Sequence, residues 1–160
     1  IRDKGFAVTY RIQFVCLGNI CRSPTAEGVM RGLIEQAGAD IEVDSAGTSG
    51  WHDGKLPDAR SMAEAARRGY DLSAQRSSQV TQGDFEAFDL IIGMDQSNMA
   101  NLRAIQPCGS KAELKMLLDC LPNQPLREVP DPYYEDGFDS VFDLIEAACA
   151  AMLRDLGVKE

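Results

Sequence analysis

The chain has 160 residues, 44% of them apolar and 26% charged, and a formal net charge of −9 at pH 7. Such a length suits one domain with a real core, and the balance is that of an ordinary folded globule rather than a disordered chain. The negative field works against a general nucleic-acid partner or an anionic membrane surface, and any phosphate site in it has to be a local positive nest. Five cysteines form an odd set without a disulfide framework, which points to a reducing, cytoplasmic setting. With no CxxC pair and His52 as the single histidine, no metal site is expected. No apolar run approaches the length of a membrane span. The chain opens on Ile1 rather than Met, and residues 1–9 are expected to be a frayed or extraneous end.

In chain order, Tyr10 to Cys16 predicts a strand, apolar toward its end. A short loop follows, Leu17-Gly18-Asn19-Ile20-Cys21-Arg22, and then Ser23 and Pro24, which suit the N-cap and first position of a helix. Ala26, Val29, Met30, Leu33, Ile34 and Ala37 fall at helical spacing, and Gly38 closes the run. Ile41 to Ser45 alternates as a short strand, and Ala46 to Leu56 reads as a surface loop. Pro57 or Asp58 opens a second helix with Ala59, Met62, Ala63 and Ala66 inward, stopped by Gly69. Phe88 to Met94 predicts a buried strand, and Ser97 to Ile105 a helix with Met99, Leu102 and Ile105 on one side. Ala112 to Leu118 fits a fourth strand, although its pattern also fits a helix. Leu121 to Gly137, with four prolines, is the longest loop. Asp139 or Ser140 caps a last helix whose stripe is Val141, Leu144, Ile145, Ala148, Met152 and Leu156. Strands alternating with helices predict an α/β fold with a mostly parallel sheet covered on both faces. Ligands of such sheets sit beyond the C-terminal strand ends, where the loops after Cys16, Ser45, Met94 and Leu118 converge.

The chemistry concentrates in the first of those loops. A loop between a strand and a helix N-terminus meets free backbone amides and the positive end of the macrodipole, a field that favours a thiolate and gathers an oxyanion. Cys16 is therefore the candidate nucleophile, set against the commoner fate of a buried core cysteine. Arg22, six residues on, offers a planar fork that matches a tetrahedral oxyanion; a cation in a first helical turn otherwise opposes the dipole. Gly18 and Asn19 are the residues expected to let the loop turn inward. Ser23 has two competing uses, capping the helix or donating its hydroxyl to the Cys16 sulfur. The spacing is not that of a nucleotide-binding P-loop, which needs a longer glycine loop ending in Gly-Lys-Ser/Thr. A general acid must come from elsewhere, and Asp131, stiffened by Pro130 and Pro132, is a candidate, though Asp and Pro are also ordinary turn formers.

With Val15-Cys16-Leu17-Gly18-Asn19-Ile20-Cys21-Arg22-Ser23-Pro24 near one end and Asp131-Pro132-Tyr133-Tyr134 near the other, the chain resembles the low-molecular-weight protein tyrosine phosphatases. The likeness runs through Asp44-Ser45-Ala46-Gly47-Thr48, Trp51, Phe88-Asp89 and Met94-Asp95-Gln96-Ser97-Asn98, and covers nearly everything after residue 10. It implies a single phosphatase domain over 1–160, a flavodoxin-like fold around a four-stranded parallel sheet, and hydrolysis of phosphotyrosine without metal or cofactor. It implies Cys16 as nucleophile, Arg22 as phosphate and transition-state binder, and Asp131 as proton donor. The phosphate loop is then Leu17, Gly18, Asn19, Ile20, Cys21 and Ser23. Asn19, Ser23 and Ser45 resemble the family's loop-supporting network, and Trp51, Tyr133 and Tyr134 the walls of an aromatic slot that only a long phosphorylated side chain reaches down. The partner is a tyrosine-phosphorylated protein or peptide, and the protein is expected to act as a monomer.

Two departures stand out. Many family members have a histidine in the segment that reads Ser73-Ala74-Gln75-Arg76 here; Gln75 replaces it as loop support, with an amide that can still hydrogen-bond. Asp-Pro-Tyr-Tyr is followed by Glu135 and Asp136, an acidic rim that disfavours acidic peptides. His52, beside Trp51, is expected to be exposed. Cys21 is read as a redox partner that shields Cys16 through a reversible disulfide, against the plainer reading of a small packed residue. Two rival functions remain at this stage. A thioredoxin-coupled arsenate reductase needs a relay of further cysteines near the loop, and Cys108 and Cys120 do not stand where that family's relay would. A non-catalytic phosphotyrosine-binding module has no use for a thiolate or an acid.

Overall fold

The computed structural model describes residues 9–133 and 137–158. Four parallel strands, β1 (Tyr10–Cys16), β2 (Ile41–Gly47), β3 (Leu90–Gly93) and β4 (Glu113–Met116), form one sheet in the order β2-β1-β3-β4. Ile12 of β1 lies level with Val43 on one side and Leu90 on the other. Among the described residues five helices connect or follow them: α1 (Arg22–Ala37), α2 (Ala59–Arg67), α3 (Asp84–Ala87), α4 (Gln96–Ile105) and α5 (Phe138–Asp155). A single 3-10 turn, Leu117–Cys120, extends β4.

Period-two alternation in β1 feeds two cores. Ile12, Phe14 and Cys16 face the cluster built with Ala26, Val29 and Met30 of α1, Ala65 of α2 and Phe142, Ile145, Ala148 and Met152 of α5. Val15 faces the other layer, with Phe85 of α3, Ile91 of β3 and Met99 and Leu102 of α4. Each fully buried aliphatic or aromatic side chain here stabilises the fold by roughly 1.5–3 kcal/mol. The expected architecture holds, with helices on both faces of an all-parallel sheet. The strand order places the switch point between β1 and β3, whose C-terminal loops diverge and leave a crevice.

Several local expectations are corrected. α1 starts at Arg22, one turn position before the Ser23 cap, and Cys21 occupies the N-cap without a side-chain cap bond; the Ser23 hydroxyl is engaged elsewhere. α2 is rotated from the expected face: Ser61 and Ala65 are its buried residues and Met62 packs half-buried against the core as expected, while Ala59, Ala63 and Ala66 face solvent. Three of its alanines are mildly apolar and do not define a stripe, so contact with α5 and the Cys21 region sets the rotation. α5 starts at Phe138 after Gly137 (φ 114°) rather than at Asp139 or Ser140. β3 is confined to Leu90–Gly93, and the short α3, unmarked by periodicity, precedes it.

Candidate active site

The Cys16 loop is shaped by what its carbonyls accept. Cys16 O accepts from Thr48 N (2.9 Å), Leu17 O from Ser49 N (2.9 Å), Gly18 O from the Ser77 hydroxyl (3.0 Å), Ile20 O from Asp58 N (2.7 Å), and Cys21 O from Thr25 N (3.2 Å). In a planar trans peptide the next amide points opposite to its carbonyl. With these carbonyls tied outward to the scaffold, the amides of Leu17, Gly18, Asn19, Cys21 and Arg22 are turned the other way, toward the concavity that the loop encloses. α1 adds its own free N-terminal amides, having no acidic residue in its first turn. Amides gathered in this way suit an anion.

Of the two residues expected to turn the loop, Asn19 does so, with φ 55°, whereas Gly18 has no positive φ. What Gly18 offers is room for His52: a Cβ there would lie 3.0 Å from His52 Cδ2, a side-chain atom that would have to give way by a few tenths of an ångström. Gly47, at the end of β2, is tighter still, since a Cβ would meet Leu17 O at 2.8 Å and Asn19 N at 3.1 Å, both backbone.

A buried polar chain leads to the Cys16 sulfur. Asn19 Nδ2 donates to Ser23 Oγ (2.8 Å) and to Ser45 Oγ (2.9 Å), while its Oδ1 accepts from Ser78 N (3.0 Å), which fixes the amide's orientation. Ser45 then donates to Glu27 Oε1 (2.7 Å), and Glu27 pairs with Arg31 at 2.6 Å. Having accepted from Asn19, the Ser23 hydroxyl has its proton free for Cys16 Sγ at 3.1 Å or Ala46 O at 3.3 Å. Of its two candidate uses, Ser23 takes contact with the sulfur and not capping. Glu27 went unnoticed in the sequence, where it sits on an ordinary helical repeat; its burial pushes its carboxyl upward, against the lowering influence of Ser45 and Arg31. Gln75 is buried beneath the start of α1, but donates to Pro24 O (3.0 Å) rather than to Asn19, and its Oε1 has no hydrogen-bond partner among the described residues.

Arg22 is 3% exposed. Its Nη1 donates to Asp95 Oδ2 (2.7 Å) and Val129 O (2.9 Å), and its Nη2 lies 3.6 Å from Asp131 Oδ2. Burial opposes the guanidinium charge, but Cys16, Asp95 and Asp131 outweigh it, so Arg22 is held charged more firmly than usual. Asp95 lies just past β3, where local sequence pattern does not mark it as a partner of Arg22. Its one available signal was that of a helix cap, which it also is: Oδ1 accepts from Asn98 N (2.8 Å). Asp131 is half-buried on the opposite wall, and its Oδ1 accepts from Tyr133 N (3.0 Å).

These groups surround a concavity of about 370 Å³, open mouth included, lined by Cys16, Leu17, Gly18, Ile20, Cys21 and Arg22 below and by Trp51, His52, Asp131 and Tyr133 above. Trp51, 72% exposed, stands at the mouth. His52 is not simply exposed, as expected, but half-buried over Gly18, its ring 6.2 Å from that of Tyr133. Tyr134 and the acidic Glu135 and Asp136 lie outside the described residues. Cys21 is buried, and its thiol is pushed up to about 12, first by burial and then by the charge of Asp58. Among the described residues no cluster of His, Cys, Asp and Glu has the arrangement of a metal site, and no helix is long and apolar enough to cross a membrane.

The sequence profile of the family described as low molecular weight phosphotyrosine protein phosphatase matches residues 11–160. A Synechocystis protein carrying a provisional low molecular weight protein-tyrosine-phosphatase name is 47% identical over 92% of this chain and 96% of its own length. Low molecular weight phosphotyrosine protein phosphatase 1 of Drosophila melanogaster is 42% identical over 91% of this chain and 96% of its own. The crystal structure of YfkJ from Bacillus subtilis superposes with a TM-score of 0.90 at 37% identity, covering 94% of this chain and 96% of that one.

Proposed function

This chain belongs to the low-molecular-weight phosphotyrosine protein phosphatases, and from that premise we propose that it hydrolyses phosphotyrosine monoesters through a phosphocysteine, with Cys16 as nucleophile and Asp131 as general acid. The Cys16 sulfur attacks phosphorus in line with the ester oxygen. An S–P bond forms, the P–O bond to the tyrosine breaks, and Asp131 delivers its proton to the departing phenolate. Water then attacks phosphorus, Asp131 takes up the water's proton, and the S–P bond breaks to return the thiolate, which the Ser23 hydroxyl stabilises. The inward amides and Arg22 hold the non-bridging oxygens, where the larger part of the stabilisation lies.

The observation that carries this reading is the convergence of Cys16, Arg22 and Asp131 on one concavity, with Ser23 Oγ 3.1 Å from the sulfur. Its depth and the rings of Trp51 and Tyr133 favour phosphotyrosine over the shorter phosphoserine. Of the five cysteines, only Cys16 and Cys21 line the concavity, so the cysteine relay of an arsenate reductase has no support here. Cys21 remains the candidate shield for an oxidised Cys16, and its raised thiol makes that closure slow at neutral pH and faster in alkali. The protein acts as a monomer in the cytoplasm in this reading.

Cys16→Ser is the direct test. Turnover of p-nitrophenyl phosphate is expected to vanish while inorganic phosphate still binds, because nest and Arg22 remain. Appreciable turnover by that variant would mean a different nucleophile.

A further inference from the structure

Arg60, the second residue of α2, lines no part of the phosphate pocket, yet its guanidinium joins the two sides of the site. Nε and Nη2 grip Asp58 (3.1 and 3.0 Å), and Nη2 also donates to Tyr133 O (3.1 Å). The same group lies 5.8 Å from the centre of the Tyr133 ring and 4.6 Å from that of Phe138, the first residue of α5. Asp58 is fastened to the nucleophile's loop, since its amide donates to Ile20 O at 2.7 Å. Tyr133 is fastened to Asp131, whose Oδ1 accepts the Tyr133 amide. A continuous path therefore runs from the loop through Asp58, Arg60 and Tyr133 to the carboxylate. Burial of Asp58 opposes its charge, but the Arg60 bonds outweigh burial and hold the carboxyl below its usual range.

We propose that Arg60 is a positioning residue that fixes Asp131 over the Cys16 loop by tying Asp58 to the Tyr133 backbone. The role rests on the reading of Asp131 as the acid. It needs a planar fork: two N–H groups occupy one carboxylate while the donation to Tyr133 O continues, which a lysine's single ammonium centre cannot reproduce in the same geometry. The Asp58 side chain still accepts from the Arg60 backbone amide when the side chain is shortened, so α2 keeps its cap in Arg60→Ala.

The test compares kcat/KM for phenyl phosphate, a poor leaving group, with that for 2,4-dinitrophenyl phosphate, which needs no protonation. Arg60→Ala is expected to lose about 10-fold on the first ester and less than about twofold on the second, with Arg60→Lys between. Inhibition by inorganic phosphate should stay within about twofold, which separates positioning from a lost surface charge. In the Asp131→Asn background, Arg60→Ala should cost phenyl phosphate nothing further, and in the single variant the Tyr133 amide should exchange its hydrogen faster. Equal losses on both esters, multiplied losses in the double variant, or unchanged exchange at Tyr133 would overturn the proposal. Failure of the acid assignment reads differently: Asp131→Asn alone would slow both esters equally, and the positioning role would fall with it.

Discussion

Asn19 carries two separate demands in one side chain. Its backbone sits at φ 55°, and its amide fixes Ser23, Ser45 and the Ser78 amide. Asn19→Gly meets the first demand and fails the second; Asn19→Ala fails both. Both variants are expected to lower kcat, and Asn19→Ala to lose about 1 kcal/mol more stability, read as the difference in urea midpoints. Equal midpoints would place the value of Asn19 in its amide alone. Arg22→Lys is expected to cost about 10²-fold or more in kcat, since an ammonium cannot span two equatorial oxygens as the fork does. Near-normal kinetics in that variant would remove Arg22 from transition-state binding.

At the scale of elements, α4 and the Cys16 loop are coupled through a single carboxylate. Asp95 caps α4 with one oxygen and holds Arg22 with the other, while Asn98 Oδ1 closes the box by accepting from Asp95 N (3.2 Å) and also accepts from Met94 N (3.0 Å). Asp95→Ser retains a cap and releases Arg22; Asp95→Ala loses both. The expected result is a lowered kcat/KM in both variants, with an extra loss of about 1 kcal/mol in stability for Asp95→Ala alone. Unimpaired kinetics of Asp95→Ser would show that the nest orients Arg22 unaided. α2 and α5 are coupled similarly by Arg68, which reaches Glu64, Asp143, Glu146 and the Asp139 carbonyl while lying 4.6 Å from the Phe142 ring. That contact, with packing beside Cys21, sets the rotation of α2 that its alanines did not announce.

For the whole molecule, protonation of buried groups sets the alkaline limit. Burial pushes Cys21 and Tyr70 each up to about 12, and raises Cys120 and Cys149. Unfolding releases these groups to ionise near their ordinary values, so between about pH 9 and 12 the unfolded chain binds fewer protons than the folded one. Stability is therefore fully present below about pH 9 and falls as pH rises toward 12. Urea unfolding at pH 8 and pH 10.5 should show the decline, and Cys149→Ala should lessen the slope. A flat profile would sink this account of the thiols.

The primary structure by itself determined whatever depends on neighbours within a few residues. β1 matched its predicted bounds, Gly38 ended α1 in the left-handed conformation, and the spacing of Cys16 and Arg22 placed both at one strand-to-helix turn. The two prolines framing Asp131 made it a candidate, and no more than that, alongside ordinary turn formers. Only the tertiary structure decided which distant groups those residues meet. Asp95 reaches Arg22 across 73 positions, and Ser45 and Glu27 join Asn19 from β2 and α1. His52 comes to rest over Gly18, and Gln75 turns to Pro24 instead of the loop network. Alternation and capping are written in local spacing, but which loops converge is set by the order β2-β1-β3-β4, a property of the assembled sheet that no short window of residues contains.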